Sequence, residues 1–170
     1  YAPFEKSADG NANGTITTVK NRIFFKYVGS DGMLATNRLL GGKAVGDFEW
    51  EFDYQNSEIN WNTDKFMFRT QLDGASENET YCLYIRGNGN EGPQVILAKN
   101  ADYGNPIATY TIPDGLTSSV YHIRMIMAGS KFSFYMNEKG KASGKPALTA
   151  TLNAADLAVG DFKAMVYGGG

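Results

Sequence analysis

The seven residues Phe48-Glu49-Trp50-Glu51-Phe52-Asp53-Tyr54 alternate aromatic and acidic side chains without a break. Residues two apart share a face only when the backbone is extended. A helix would scatter these four rings and three carboxylates around its axis, whereas a strand puts all the rings on one side and all the acids on the other. The segment therefore reads as a strand with one face in a core and one face in water, as in antiparallel sheets.

The same period recurs downstream. Phe66 and Phe68 alternate with Met67 and Arg69, and Tyr81, Leu83 and Ile85 with Cys82, Tyr84 and Arg86. Tyr121, Ile123, Met125 and Met127 alternate with His122 and Arg124, and Phe132, Phe134 and Met136 with Ser133 and Tyr135. Ala128-Gly129-Ser130 is placed to turn the last two runs into a hairpin. Further strands are predicted over 15–19, 22–28, 32–36, 94–99, 107–112, 147–151 and 161–167, and only 154–159 resembles a helical turn. Short strands separated by Gly, Asn, Asp and Ser predict an all-β chain, a two-sheet antiparallel β-sandwich or jelly roll. No linker and no repeat interrupts it, so residues 1–170 read as one domain. The final Gly168-Gly169-Gly170, directly after a predicted strand, reads as an excision from a longer protein or as a disordered tail.

Composition narrows the function classes. Of 170 residues, 42% are hydrophobic and 20% charged, with a formal net charge of −2, so nothing calls for a nucleic-acid partner. The apolar runs are a few residues long, which predicts no membrane insertion. The one cysteine, Cys82, has no intramolecular disulfide partner and no Cys or His at zinc spacing.

The order of these motifs resembles a known family. Residues 15–54 run through a strand ending in Val19, then Arg22-Ile23, Leu34-Ala35-Thr36-Asn37 and Gly46-Asp47-Phe48-Glu49-Trp50-Glu51-Phe52. Phe66-Met67-Phe68-Arg69, Tyr81-Cys82-Leu83-Tyr84-Ile85, the 121–135 hairpin and Val159-Gly160-Asp161-Phe162 follow. This rhythm resembles concanavalin A-like and laminin G-like sandwich modules appended to bacterial glycosidases, among them levan-binding modules and 3-keto-disaccharide hydrolase-like domains. The resemblance covers most of the chain from about residue 15. It implies a noncatalytic, extracellular or cell-surface carbohydrate-binding module within a multidomain protein; the alternatives on the same fold are a glycan-active hydrolase or lyase, and a protein-interaction or adhesion module, which an exposed apolar patch would favour. Its motifs are structural, so they specify fold more than ligand.

Alternation also names candidate site residues. If the aromatic and aliphatic sets fill the core, the outward set is Glu49, Glu51, Asp53, Met67, Arg69, Cys82, Tyr84, Arg86, His122, Arg124, Ser133 and Tyr135. Carboxylates and guanidinium groups recognise vicinal hydroxyls, and aromatic faces pack on sugar C–H groups. Glu49, Glu51, Arg69 and Arg86 are the expected hydrogen-bonding residues if they converge, with Tyr84, Tyr135 or Trp61 as the stacking ring. The competing reading of the same set is a solvated face laced by cross-strand ion pairs. Trp50, between Phe48 and Phe52, reads as core. Trp61, in Asn60-Trp61-Asn62-Thr63, reads either as a loop platform for a sugar ring or as a cap folded back on the core, and Tyr103 shares that ambiguity.

Catalytic readings are weaker, and no catalytic residue is assigned. Glu49 and Glu51 stand two apart on one strand face, near the spacing of roughly 5–9.5 Å that glycosidase carboxyl pairs use, yet the tighter E-x-D-x-x-E of jelly-roll glucanases is absent. His122, Arg69, Gln94 and Tyr135 supply lyase residue types without the R-x-E-x-R or Y-x-K-x-G-x-Y signatures. Gly87-Asn88-Gly89-Asn90-Glu91-Gly92 matches G-x-G-x-x-G but leads into a predicted strand, not the helix a dinucleotide site needs. No cofactor is expected. The residue types suggest a structural calcium at Asp9–Gly14 or at Asn100, Asp102 and Asn105, where oxygen ligands cluster, and the competing reading of both is a flexible polar loop.

Overall fold

The computed structural model describes backbone and side chains of residues 47–55, 81–87, 92–99, 102, 104–141 and 144–153, and the backbone of the strands at 5–6, 15–19, 22–26, 33–37, 62–68 and 162–168. Every regular element among them is a strand. In chain order these are β1 (Glu5–Lys6), β2 (Thr15–Val19), β3 (Arg22–Lys26), β4 (Met33–Asn37), β5 (Phe48–Tyr54), β6 (Asn62–Phe68), β7 (Tyr81–Arg86), β8 (Gln94–Lys99), β9 (Ala108–Thr111), β10 (Tyr121–Ala128), β11 (Lys131–Glu138), β12 (Leu148–Thr151) and β13 (Phe162–Gly168).

The strands form a seven-stranded sheet in the order β1-β4-β13-β6-β7-β8-β9, a four-stranded sheet in the order β12-β11-β10-β5, and the β2-β3 hairpin. All pairings are antiparallel. This is the predicted two-sheet sandwich. β6 begins at Asn62, four residues before the predicted run at Phe66, so Asn62 and Thr63 belong to a strand and not to a polar loop. Backbone pairing to β7 and β13 on both sides overrides their polar composition. The predicted helical turn at 154–159 lies outside the described residues.

One core joins the two sheets. Tyr81, Leu83, Ile85, Val95 and Leu97 face Tyr121, Ile123, Met125, Met127, Phe132, Phe134 and Leu148 across it, and the partly buried Phe48, Trp50 and Phe52 pack against its flank. The rings of Trp50 and Phe52 are tilted at 47° with centroids 5.2 Å apart. Trp50 thus faces the core from its partly buried flank, on the side that alternation predicts.

β10 and β11 are joined by a two-residue turn in which Gly129 has φ +61°. A positive φ at the first loop position and not at the second, Ser130, is the signature of a type II′ turn, which matches the twist of the flanking strands. The Gly129 N–H donates to Asp47 Oδ1 at 2.7 Å, tying the turn to the start of β5. A Cβ added at Gly129 would meet nothing within 4 Å. The cost of Gly129→Ala is therefore backbone strain alone, about 1–2 kcal/mol. A urea denaturation midpoint unchanged by this substitution would contradict the turn geometry.

Candidate functional site

The outward face of the four-stranded sheet carries the described polar cluster. β10 lies between β5 and β11, so register sets up rows across three strands. Glu49 stands opposite Ile126, Glu51 opposite Arg124 and Asp53 opposite His122. On the other side, Ser133 stands opposite Ile126, Tyr135 opposite Arg124 and Asn137 opposite His122. Rows are about 7 Å apart along the strands and columns about 4.8 Å apart across them.

The charges in these rows pair diagonally as well as directly. Arg124 Nε donates to Glu49 Oε1, and the Arg124 guanidinium carbon lies 5.8 Å from the centre of the Tyr135 ring, within cation–π range. His122 Nε2 is 2.6 Å from Glu51 Oε1, and His122 Nδ1 is 2.9 Å from Asp53 Oδ1. Ionised carboxylates only accept hydrogen bonds, so a ring that bonds one from each nitrogen is the doubly protonated imidazolium. Lys139, in the turn after β11, donates to the other oxygen of Asp53.

These contacts move the titrations in opposite directions. Arg124 holds Glu49 below the usual carboxylate range, and Lys139, then His122, do the same to Asp53. Asp53, then Glu51, raise His122 above its ordinary value. His122 contributes fully below its unfolded value of 6.5 and loses its contribution as pH rises through the raised folded value. Asp53 contributes above its unfolded value of 3.8 and loses its contribution as pH falls through the lowered folded value. The cluster is complete between those two pH values. The melting temperature is expected to decline on the alkaline side as His122 deprotonates, and His122→Gln to remove that decline, as scanning calorimetry from pH 5 to 9 would show.

The structure brings Glu49, Glu51 and Tyr135 together on this face. It does not bring Tyr84 and Arg86 to them. Both lie on β7 in the other sheet, on its side away from the shared core. Tyr84 is 1% exposed, in a second buried cluster with Cys82, Ile96 and Ala98, so its ring has no face open to a ligand. This corrects the expectation of an outward stacking ring: β7 and β8 are covered on both faces, so alternation there separates two cores and not core from solvent. Trp61 and Arg69 lie outside the described residues. Phe68, the neighbour of Arg69, pairs with Tyr81, whereas Arg86 pairs with Thr63 at the other end of the β6–β7 ladder. The strand positions next to the two arginines are thus five residues apart, about 17 Å.

Asp53, His122, Arg124 and Lys139 complete the cluster but are not in the expected binding set. Alternation does place the first three outward; only Lys139, in a turn, leaves no periodic signal. Of the calcium candidates, 9–14, Asn100 and Tyr103 beside them lie outside the described residues. Asn105 donates its side-chain amide to Asp102 Oδ2 at 2.8 Å, closing a turn. Among the described residues no group of three or more His, Cys, Asp or Glu is arranged to hold a metal ion, and no helix is long and apolar enough to cross a membrane.

No family model and no curated protein matches the sequence. Solved structures do match the fold. The carbohydrate binding module CBM66 from Bacillus subtilis aligns with a TM-score of 0.64 at 17% identity, over 96% of this chain and 87% of that one. Lectin II from Ulex europaeus aligns with a TM-score of 0.69 at 9% identity, over 93% and 84%. The Ca2+-bound exoplasmic/lumenal domain of VIP36 aligns with a TM-score of 0.61 at 12% identity, over 98% and 76%. The chain has the concanavalin A-like sandwich fold.

Proposed function

We propose that this domain is a noncatalytic carbohydrate-binding module whose site is the outward face of the β12-β11-β10-β5 sheet. The observation that carries the reading is the grouping of Glu49, Glu51 and Tyr135 around Arg124 and His122 on one open face. Among the described residues the ion pairs engage one oxygen of Glu49 and one of Glu51, so each carboxylate keeps acceptor capacity for sugar hydroxyls. Arg124 holds further N–H donors, and Tyr135 offers an aromatic body for a ring C–H face. The fold it shares with a carbohydrate binding module and with lectins supports the same reading. Such a module works outside the cell or on its surface, within a larger protein that it tethers to polysaccharide.

A hydrolase reading fares worse on this face. A glycosidase acid must hold a proton near neutrality, which calls for a raised carboxyl pKa. Arg124 lowers Glu49, and Lys139 and His122 lower Asp53.

The test is a glycan array followed by calorimetry, with and without added calcium, and with product release followed in the same samples. Binding to one glycan class without turnover is expected. Turnover of a bound glycan would overturn the noncatalytic assignment, and absence of binding to any glycan would overturn the reading itself.

A further inference from the structure

We propose that His122 is a positioning residue that makes binding on this face proton-dependent: its imidazolium fixes Glu51 for a ligand's hydroxyl groups, and its neutral ring releases it. The inference rests on the carbohydrate-binding reading of the same face.

The geometry carries it. The ring sits between two carboxylates, one on each nitrogen, at 2.6 and 2.9 Å. A neutral imidazole has one N–H, so on deprotonation one nitrogen turns a lone pair toward an anion at that distance. The two carboxylates are not equally placed to respond. Asp53 keeps Lys139 on its other oxygen. Glu51 stands opposite Arg124 on the ladder, but the Nε of that arginine goes to Glu49. Among the described residues, the hydrogen bond of Glu51 is the one to His122, so Glu51 is the group that lets go.

The groups facing His122 are few. They are Glu51 and Asp53 from β5, Arg124 from its own strand, Tyr135 and Asn137 from β11, and Lys139 from the turn beyond. With His122 charged, three carboxylates (Glu49, Glu51, Asp53) meet three cations (Arg124, Lys139, His122), and the cluster is balanced. Without that proton it carries one net negative charge and one unanchored acceptor. A held acceptor binds hydroxyls better than a mobile one, because its ordering entropy is already spent in folding. Linkage then requires the ligand to hold the proton on His122 more tightly.

The experiment measures affinity for levan oligosaccharides, galactose and mannobiose by calorimetry from pH 5 to 9, alongside an NMR titration of the His122 ring protons with and without the sugar. Affinity is expected to fall three- to tenfold with a midpoint at the His122 titration, and bound sugar to move that midpoint upward. His122→Gln, checked for folding by circular dichroism, is expected to bind weakly at every pH. Affinity that stays flat while His122 titrates, or a pH dependence that survives in His122→Gln, overturns the positioning role and leaves the binding site standing. If none of these sugars binds at any pH, the role falls too, and the array above then decides whether the carbohydrate reading falls with it.

Discussion

Phe134→Ala is expected to remove about 3–5 kcal/mol of folding stability, the range for emptying a fully buried phenylalanine site. Phe134 is 0% exposed. It lies on β11, inside the four-stranded sheet, between Met125 on β10 and Leu148 on β12. Neighbours pinned by two ladders cannot collapse into the space, so the cavity persists. Urea unfolding would show a lower midpoint with little change in slope. At this chain length the melting temperature would drop by about 10 °C. Phe134→Leu, which keeps most of the volume, is expected to recover the larger part. A loss under about 1 kcal/mol would mean that the two sheets do not share the core described.

The adjacent residue is expected to do the opposite. Tyr135→Ala should leave stability within about 0.5 kcal/mol, as for most surface substitutions, and weaken glycan binding at least tenfold, about 1.4 kcal/mol. Its side chain points away from Phe134, beneath the Arg124 guanidinium. Removing the ring takes away both the stacking face and the surface that steadies Arg124. Tyr135→Phe is expected to retain most of the affinity, because the ring and not the hydroxyl makes those contacts. Calorimetric titration of both variants checks this. If Tyr135→Ala binds normally while Arg86→Ala does not, the sugar sits on the other sheet.

Much of the fold is legible in the sequence because burial on one face writes itself as a period of two. β5, β10 and β11 show it plainly, and their outward residues are the ones found in the polar cluster. The same rule misleads at β7. Tyr81, Leu83 and Ile85 do face the main core, but Cys82 and Tyr84 on the opposite face are equally buried. Alternation reports that two faces differ and says nothing of whether the second is wet. The expected convergence of Glu49 and Glu51 with Arg86 fails for a related reason: a strand pattern fixes the side a residue points to but not which sheet its strand joins. That depends on long-range pairing, which puts β5 beside β10 and β7 beside β6. Lys139 was invisible because its place at Asp53 comes from where a hairpin turn ends.

The double covering of β7 also makes Cys82 a clock. Its thiol is the single sulfhydryl of the chain and is 1% exposed, in a layer bounded by Tyr84, Ile96 and Ala98. A thiol reagent reaches it only when β7 opens, and a central strand paired on both edges opens only in rare excursions close to global unfolding. At low reagent the labelling rate reads the free energy of that opening; at high reagent it reads the unfolding rate itself. The domain thus carries, without any engineered probe, a one-site chemical record of its own excursions from the native state.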